Sequence, residues 1–147
     1  MNQVWNNRFM GMAELIAQWS KDPSTKVGCV VVNDSRQILT TGYNGFPRGV
    51  RDDARLDDRE QKYPIICHAE ENAIVQAAFT GISIRGAAMY ATLHPCARCA
   101  RLIVQAGIED VYTREEVPER WAEDARLARL LIGEAGGRVH FVERSTF

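Results

Sequence analysis

Residues 68–112 read HAEENAIVQAAFTGISIRGAAMYATLHPCARCARLIVQAGIEDVY, and the order of patterns in this stretch decides the fold class. Ala73, Ile74, Ala77 and Ala78 mark one face of a helix that begins near His68 and ends at Gly81, where glycine past the last periodic residue stops it. Ala87 to Thr92 then reads as a strand. Pro95 opens a second helix, through Ala100, Leu102, Ile103 and Ala106 to Gly107, and Asp110 to Tyr112 supplies another short strand. Proline at the start and glycine beyond the end fit the usual capping asymmetry. Helix, strand, helix, strand is the signature of an α/β domain whose strands are joined through helices.

The flanking segments extend the same plan. Trp5, Phe9, Met12, Ile16 and Trp19 recur at three- and four-residue steps, which predicts a first helix with these five on its core-facing stripe. Asp22-Pro23-Ser24 stops it. Val27 to Val32 is a β-branched run, read as a buried strand, and Asn33-Asp34-Ser35 turns it into a partner strand, Gln37 to Tyr43. Asn44 to Pro64 has no periodicity. Its mixed-sign run Arg51 to Glu60 reads as a solvated surface loop with room for a short helical turn, and a long loop can also serve as a lid. Pro118 opens a last helix bearing Trp121, Ala125, Ala128, Leu131 and Ile132; Gly136-Gly137 end it, and Val139 to Val142 form a final strand. The expectation is a mixed sheet, antiparallel at the hairpin and partly parallel beyond, with helices on its faces. No repeat, low-complexity tract or linker divides the chain, so residues 1–147 read as one domain.

Composition excludes several classes. At 46% hydrophobic and 25% charged residues the chain lies near the globular average, away from disordered sequences. A net charge of −1 with dispersed basic residues gives no footprint for a long nucleic-acid backbone, so a small ligand is the expected partner. The N-terminus lacks a signal-peptide profile and no apolar run approaches the ~20 residues that span a bilayer, which predicts a cytoplasmic protein with no membrane partner. Cys29, Cys67, Cys96 and Cys99 do not form a disulfide framework in that setting; Cys-x-x-Cys there asks for metal or redox chemistry.

His68-Ala69-Glu70 stands at one predicted helix start and Pro95-Cys96-Ala97-Arg98-Cys99 at the next. Two helix N-termini can therefore meet over one metal. Zinc takes imidazole nitrogen and thiolate sulfur, and catalytic sites use three protein ligands with the fourth position left to water. The free N–H groups and dipole at a helix start favour thiolates. Bound zinc lowers the pKa of water from about 15.7 to about 7, which generates a nucleophile at neutral pH. Glu70, two residues from His68, is placed to move protons without being a ligand. A structural four-ligand site would need Cys67, which sits beside His68 and cannot easily share its metal. Cys67 and Cys29 read as small buried residues, and His94 and His140 as structural or surface histidines.

His-x-Glu followed by Pro-Cys-x-x-Cys resembles the signature of the zinc nucleobase deaminases. Asp22-Pro23-Ser24-Thr25-Lys26-Val27-Gly28 and Gly42-Tyr43-Asn44-Gly45-Phe46-Pro47-Arg48-Gly49 look like the deoxycytidylate (dCMP) deaminase family within the cytidine deaminase-like fold. Lys62-Tyr63-Pro64 and Leu102 to Ile108 are similar too, so the resemblance runs from roughly Ser20 to Tyr112. It implies a three-layer α-β-α architecture, about five strands in a mixed sheet flanked by helices. It also implies zinc-dependent hydrolysis of the nucleotide dCMP to dUMP and ammonia, feeding thymidylate supply. Some relatives hold a second zinc before the catalytic histidine; Gly49 to Tyr63 contains no His or Cys, so one zinc per chain is expected. The resemblance further implies a homo-oligomer, hexamer or dimer. Many members are switched by dCTP and dTTP, and Gly45, Phe46, Pro47 and Arg48 resemble the segment involved.

By the same resemblance Asn44 contacts the base or sugar; from the residues alone it is equally a turn residue tolerating a left-handed backbone. Ala69, between His68 and Glu70, joins the expected substrate contacts. Lys26 is the first candidate for the phosphate, with Arg98 and Arg48 as rivals, although each also reads as a solvated surface charge. Three other functions compete. Deamination of another cytosine nucleotide, nucleoside or free heterocyclic base would use the same metal site. A nucleic-acid editor would need a basic, aromatic surface that is not apparent. A non-catalytic zinc protein would be expected to have lost the carboxylate that Glu70 retains.

Overall fold

The computed structural model describes residues 2–144; the ends of the expected domain, Met1 and residues 145–147, lie outside them. Strand β1 (Gly28–Val32) is buried along its whole length, and the sheet is assembled around it. It pairs antiparallel with β2 (Ile38–Tyr43) and with β3 (Ala88–Ala91); β3 pairs parallel with β4 (Asp110–Thr113), which pairs parallel with β5 (Arg138–Phe141). The strand order is β2-β1-β3-β4-β5, a five-stranded mixed sheet as expected. Hydrophobic Val, Tyr and Met on both faces of the inner strands require cover on both sides.

That cover makes three layers. Helix α1 (Gln3–Ala17) lays Phe9, Met10, Ala13 and Ile16 on Val30, Val32, Tyr90 and Tyr112. Helices α3 (Ala69–Thr80), α4 (Ala97–Gln105) and α5 (Ala122–Glu134) pack on the alternate residues, Cys29, Val31, Met89 and Val111. Burying each such valine contributes about 1.5–3 kcal/mol, so β1 is the anchor of both cores. Two glycines set how closely the layers meet. A Cβ on Gly28 would lie 1.9 Å from the Ala13 carbonyl of α1, and one on Gly42 would lie 2.3 Å from the Ala69 carbonyl of α3. The second contact seats the start of α3 directly on β2.

Several local expectations change. Met12 faces solvent, and Trp19 lies beyond the end of α1, edge-on to Tyr43, because the buried stripe is carried by Met10, Ala13 and Ala17 instead. Ala78 is exposed. The loop after β2 contains two single turns, a 3-10 turn at Ala54–Asp57 and α2 (Arg59–Lys62), each capped by the aspartate before it. Pro95 precedes the cap of α4 rather than starting the helix, and Pro118 precedes a 3-10 turn, Glu119–Trp121, that leads into α5. Among the described residues no helix is long and apolar enough to cross a membrane.

Candidate active site

At one end of the sheet β3 and β4 finish, β1 begins and β2 ends, and a cavity of about 800 Å³ opens there. Ligand sites of α/β sheets favour the carboxyl ends of parallel strands. Its floor is built by the two helix starts. His68 is the N-cap of α3 and Cys96 the N-cap of α4. The Cys96 Sγ accepts the N–H of Cys99 at 3.4 Å, so an unpaired donor of the first turn is used on a sulfur. Glu71 fastens the pair of helices: its Oε1 accepts the His68 N–H at 3.2 Å and the Arg98 guanidinium at 3.0 Å.

His68 Nδ1 lies 3.5 Å from Cys96 Sγ and 3.4 Å from Cys99 Sγ, and all three ligand atoms fall within 4.8 Å of one another. Zinc bonds of about 2.1 Å to nitrogen and 2.3 Å to sulfur place these atoms about 3.6 Å apart at a tetrahedral angle, so the donor set fits the ion. A hydrogen bond from Cys99 and the neighbouring imidazole hold the Cys96 thiol down at about 3, whereas that same bond and burial push Cys99 up. A nitrogen and two sulfurs so crowded that they must share protons are the environment a cation relieves. Cys67 is not brought to this cluster; its backbone pairs in both directions with Gly45.

Glu70, the second residue of α3, is 4% exposed at the cavity floor. Burial pushes its carboxyl up to about 7, His68 opposes the rise, and Cys96 adds to it. A carboxyl poised near neutrality both takes and gives protons at physiological pH. Ala69 lines the same floor and is fully buried.

The walls come from residues 22–25, Val27 and Asn44, from the turn of α2, and from the start of α5, where Trp121, Asp124 and Ala125 line the cavity. Asp22 and Lys62 form a buried ion pair at 3.1 Å, and the Lys62 ammonium also donates to Ser24 Oγ at 2.8 Å. Asn44 is buried beside them. Its Oδ1 accepts the Val27 N–H at 2.8 Å and its Nδ2 donates to the Thr25 carbonyl at 2.8 Å, so the amide holds the wall loop in place. Its backbone is not left-handed; Arg36 is the one non-glycine residue with positive φ among the described residues, which removes that reading.

Of the cations expected to meet a phosphate, Arg98 reaches the rim while paired to Glu71. Lys26 is exposed and does not line the cavity. Arg48 also lies outside, bonded to Gln76 and stacked on Phe79, and Phe46 and Pro47 line no part of the cavity. Lys62, Arg59 and Arg120 line it instead. Sequence reasoning missed these three. Lys62 stands in the Lys62-Tyr63-Pro64 motif that the resemblance had singled out, which was the available signal. His94 is buried and lines the cavity: its Nδ1–H donates to the Pro95 carbonyl at 2.9 Å, leaving Nε2 to accept from Arg129 at 3.2 Å. His140 stacks on Tyr112 and bonds Asp110 at 2.8 Å, and it does not line the cavity.

A three-layer α-β-α sheet with imidazole, paired thiols and a buried glutamate at two helix starts defines a zinc-binding deaminase domain. Residues 3–115 match the family described as the cytidine and deoxycytidylate deaminase zinc-binding region. The deoxycytidylate deaminase of Homo sapiens is 42% identical over 138 residues, covering 90% of this chain and 76% of that protein. An uncharacterised deaminase of Aliivibrio fischeri is 43% identical over 142 residues, covering 95% and 94%. The dCMP deaminase of cyanophage S-TIM5, solved in complex with dCMP and dUMP, superposes with a TM-score of 0.81 at 31% identity, covering 96% of this chain and 98% of that one. The chain belongs to the cytidine and deoxycytidylate deaminase family, and zinc is its cofactor.

Proposed function

We propose that this chain, acting as one domain over residues 1–147, hydrolyses dCMP to dUMP and ammonia. The observation that carries the reading is the buried Glu70 beside the His68, Cys96 and Cys99 cluster, at the floor of a cavity of nucleotide size. The relatives named deoxycytidylate deaminase support the choice of substrate.

His68, Cys96 and Cys99 hold the zinc, one per chain. When bound, zinc supplies a water acidic enough to act as nucleophile at neutral pH, directed at C4 of cytosine. With the metal in place, Glu70 would take one proton from the attacking water and deliver it to ring N3, then take the second proton from the same oxygen and pass it to the departing amine, so that dCMP and water become dUMP and ammonia. Burial of Glu70 keeps bulk water from setting its proton affinity. Ala69, at the start of α3, packs against the base. Asn44 acts on the substrate through the wall loop whose backbone it holds.

For the phosphate the reading moves from Lys26 to the rim. Lys62 is already matched by Asp22, and Arg98 by Glu71. Arg59 and Arg120 are exposed at the mouth and lie over the rings of Tyr63 and Trp121, which orients each guanidinium while leaving its N–H groups available to an anion. The exposed Val75 and Phe79 of α3 support self-association. The two-way pairing of Gly45 with Cys67, next to His68, supports an effector acting on the Gly45 to Arg48 loop.

Turnover of dCMP, CMP, dCTP, deoxycytidine and guanine by the zinc-loaded protein, measured side by side, tests the function. The expected result is the highest kcat/KM for dCMP, at least about tenfold above deoxycytidine. Equal efficiency for dCMP and deoxycytidine would defeat the nucleotide assignment.

A further inference from the structure

Helix α5 touches the metal-bearing segment twice. The N–H of Ala97, the first residue of α4, donates to Asp124 Oδ2 at 3.0 Å. Five residues further along α5, Arg129 Nη1 meets His94 Nε2 at 3.2 Å. His94 can accept this bond because its Nδ1–H is committed to the Pro95 carbonyl, which fixes the neutral tautomer. The two contacts bracket Pro95-Cys96, the turn that presents one sulfur directly and sets the helix that presents the other. Between them Ala125 and Ala128 are buried on the inner side of α5, so the helix cannot slide away from α4 without exposing its packed face.

We infer that Asp124, seconded by Arg129, is a positioning residue for the metal: it fixes the backbone of residues 94–97 so that Cys96 and Cys99 stay in ligand geometry, and it thereby sets how long the chain retains zinc. The inference rests on Cys96 and Cys99 being ligands. A carboxylate bonded to the first N–H of α4 uses a donor that neither sulfur takes, and it does so from a helix with its own packing. Removing it frees the first turn of α4 to fray, and fraying of that turn moves both sulfurs together. Outer-sphere partners of this kind commonly tune metal affinity by about 10–100-fold.

The test is the rate of zinc transfer from the loaded protein to a colorimetric chelator, compared for the unmodified chain, Asp124→Ala, Asp124→Asn and Glu123→Ala. Glu123 is the other acid in the first turn of α5, and its carboxylate pairs with Arg126 of the same helix. Asp124→Ala should release zinc about tenfold faster or more. Asp124→Asn, whose amide oxygen can still accept the Ala97 N–H, should restore most of the retention. Glu123→Ala should release zinc at the unmodified rate, which separates the contact from the general stability of α5. Release from Asp124→Ala within twofold of the unmodified chain would overturn the inference, as would equal acceleration in Glu123→Ala. Failure of the ligand assignment is distinguishable, since Cys96→Ser would then bind as much zinc as the unmodified protein.

Discussion

The floor and the wall of the cavity are built by opposite routes. The floor takes its groups from two helix starts, and each start is set by residues adjacent in sequence: His68 with Ala69 and Glu70, Cys96 with Cys99 three residues on. The wall depends on partners far apart in the chain, Lys62 with Asp22 across 40 residues and Asn44 with Val27 across 17. The floor is thus a local structure brought to the sheet, whereas the wall exists only when the fold is complete. Lesions in the floor should strike chemistry with the fold intact, and lesions in the wall should strike stability or substrate affinity first.

The largest separation of the two is expected from the metal ligands. Cys96→Ser should lose zinc and all measurable turnover, because a neutral hydroxyl does not replace a thiolate. Elemental analysis and circular dichroism check this, and retention of about one zinc per chain would remove Cys96 from the ligand set.

On the wall, Asp22→Ala should lower unfolding free energy by about 3–5 kcal/mol, since it strands a buried ammonium. Replacing both partners, Asp22→Leu with Lys62→Met, should cost clearly less. Chemical denaturation of the two variants decides, and a larger loss in the double variant would contradict a pairing penalty. Burial raises the Asp22 carboxyl, but hydrogen bonds from Ser24 and Lys62 more than offset this and hold it below its ordinary value. Its stabilisation is therefore present above the unfolded pKa of about 3.9 and is lost as pH falls through the lower folded value. Asp22→Asn should flatten that acid limb of the stability profile.

Smaller effects are expected at the rim. Arg59→Ala and Arg120→Ala should each reduce kcat/KM for dCMP by about 1.5 kcal/mol, the low end for a charged hydrogen bond at an exposed site, with deoxycytidine turnover unchanged. Lys26→Ala should alter neither substrate. The reverse pattern would return the phosphate to Lys26.

The same division explains what was legible in sequence. Helix and strand order followed from periodicity, the stop at Gly81 from its left-handed cap, and the zinc-site candidates from short spacings. Trp19 and Met12 were misplaced because a three-to-four step admits neighbouring stripes, and the tighter residues Ala13 and Ala17 are the ones α1 presents to Gly28. Lys62 escaped because a lysine beside a charge-rich loop reads as solvated; only its distant partner Asp22 makes burial affordable. Arg120 escaped because Pro118 was read as opening a regular helix, whereas the 3-10 turn carries the arginine to the cavity mouth.

The role proposed for Glu70 is to move the protons of a zinc deaminase without holding the metal. Glu70→Gln keeps the shape of the side chain and removes its basicity, so zinc content and dCMP turnover measured on one preparation test this role directly. The expected result is about one zinc per chain with turnover reduced about 10²–10⁴-fold. Turnover within a few fold of the unmodified protein, with the zinc still bound, would contradict it.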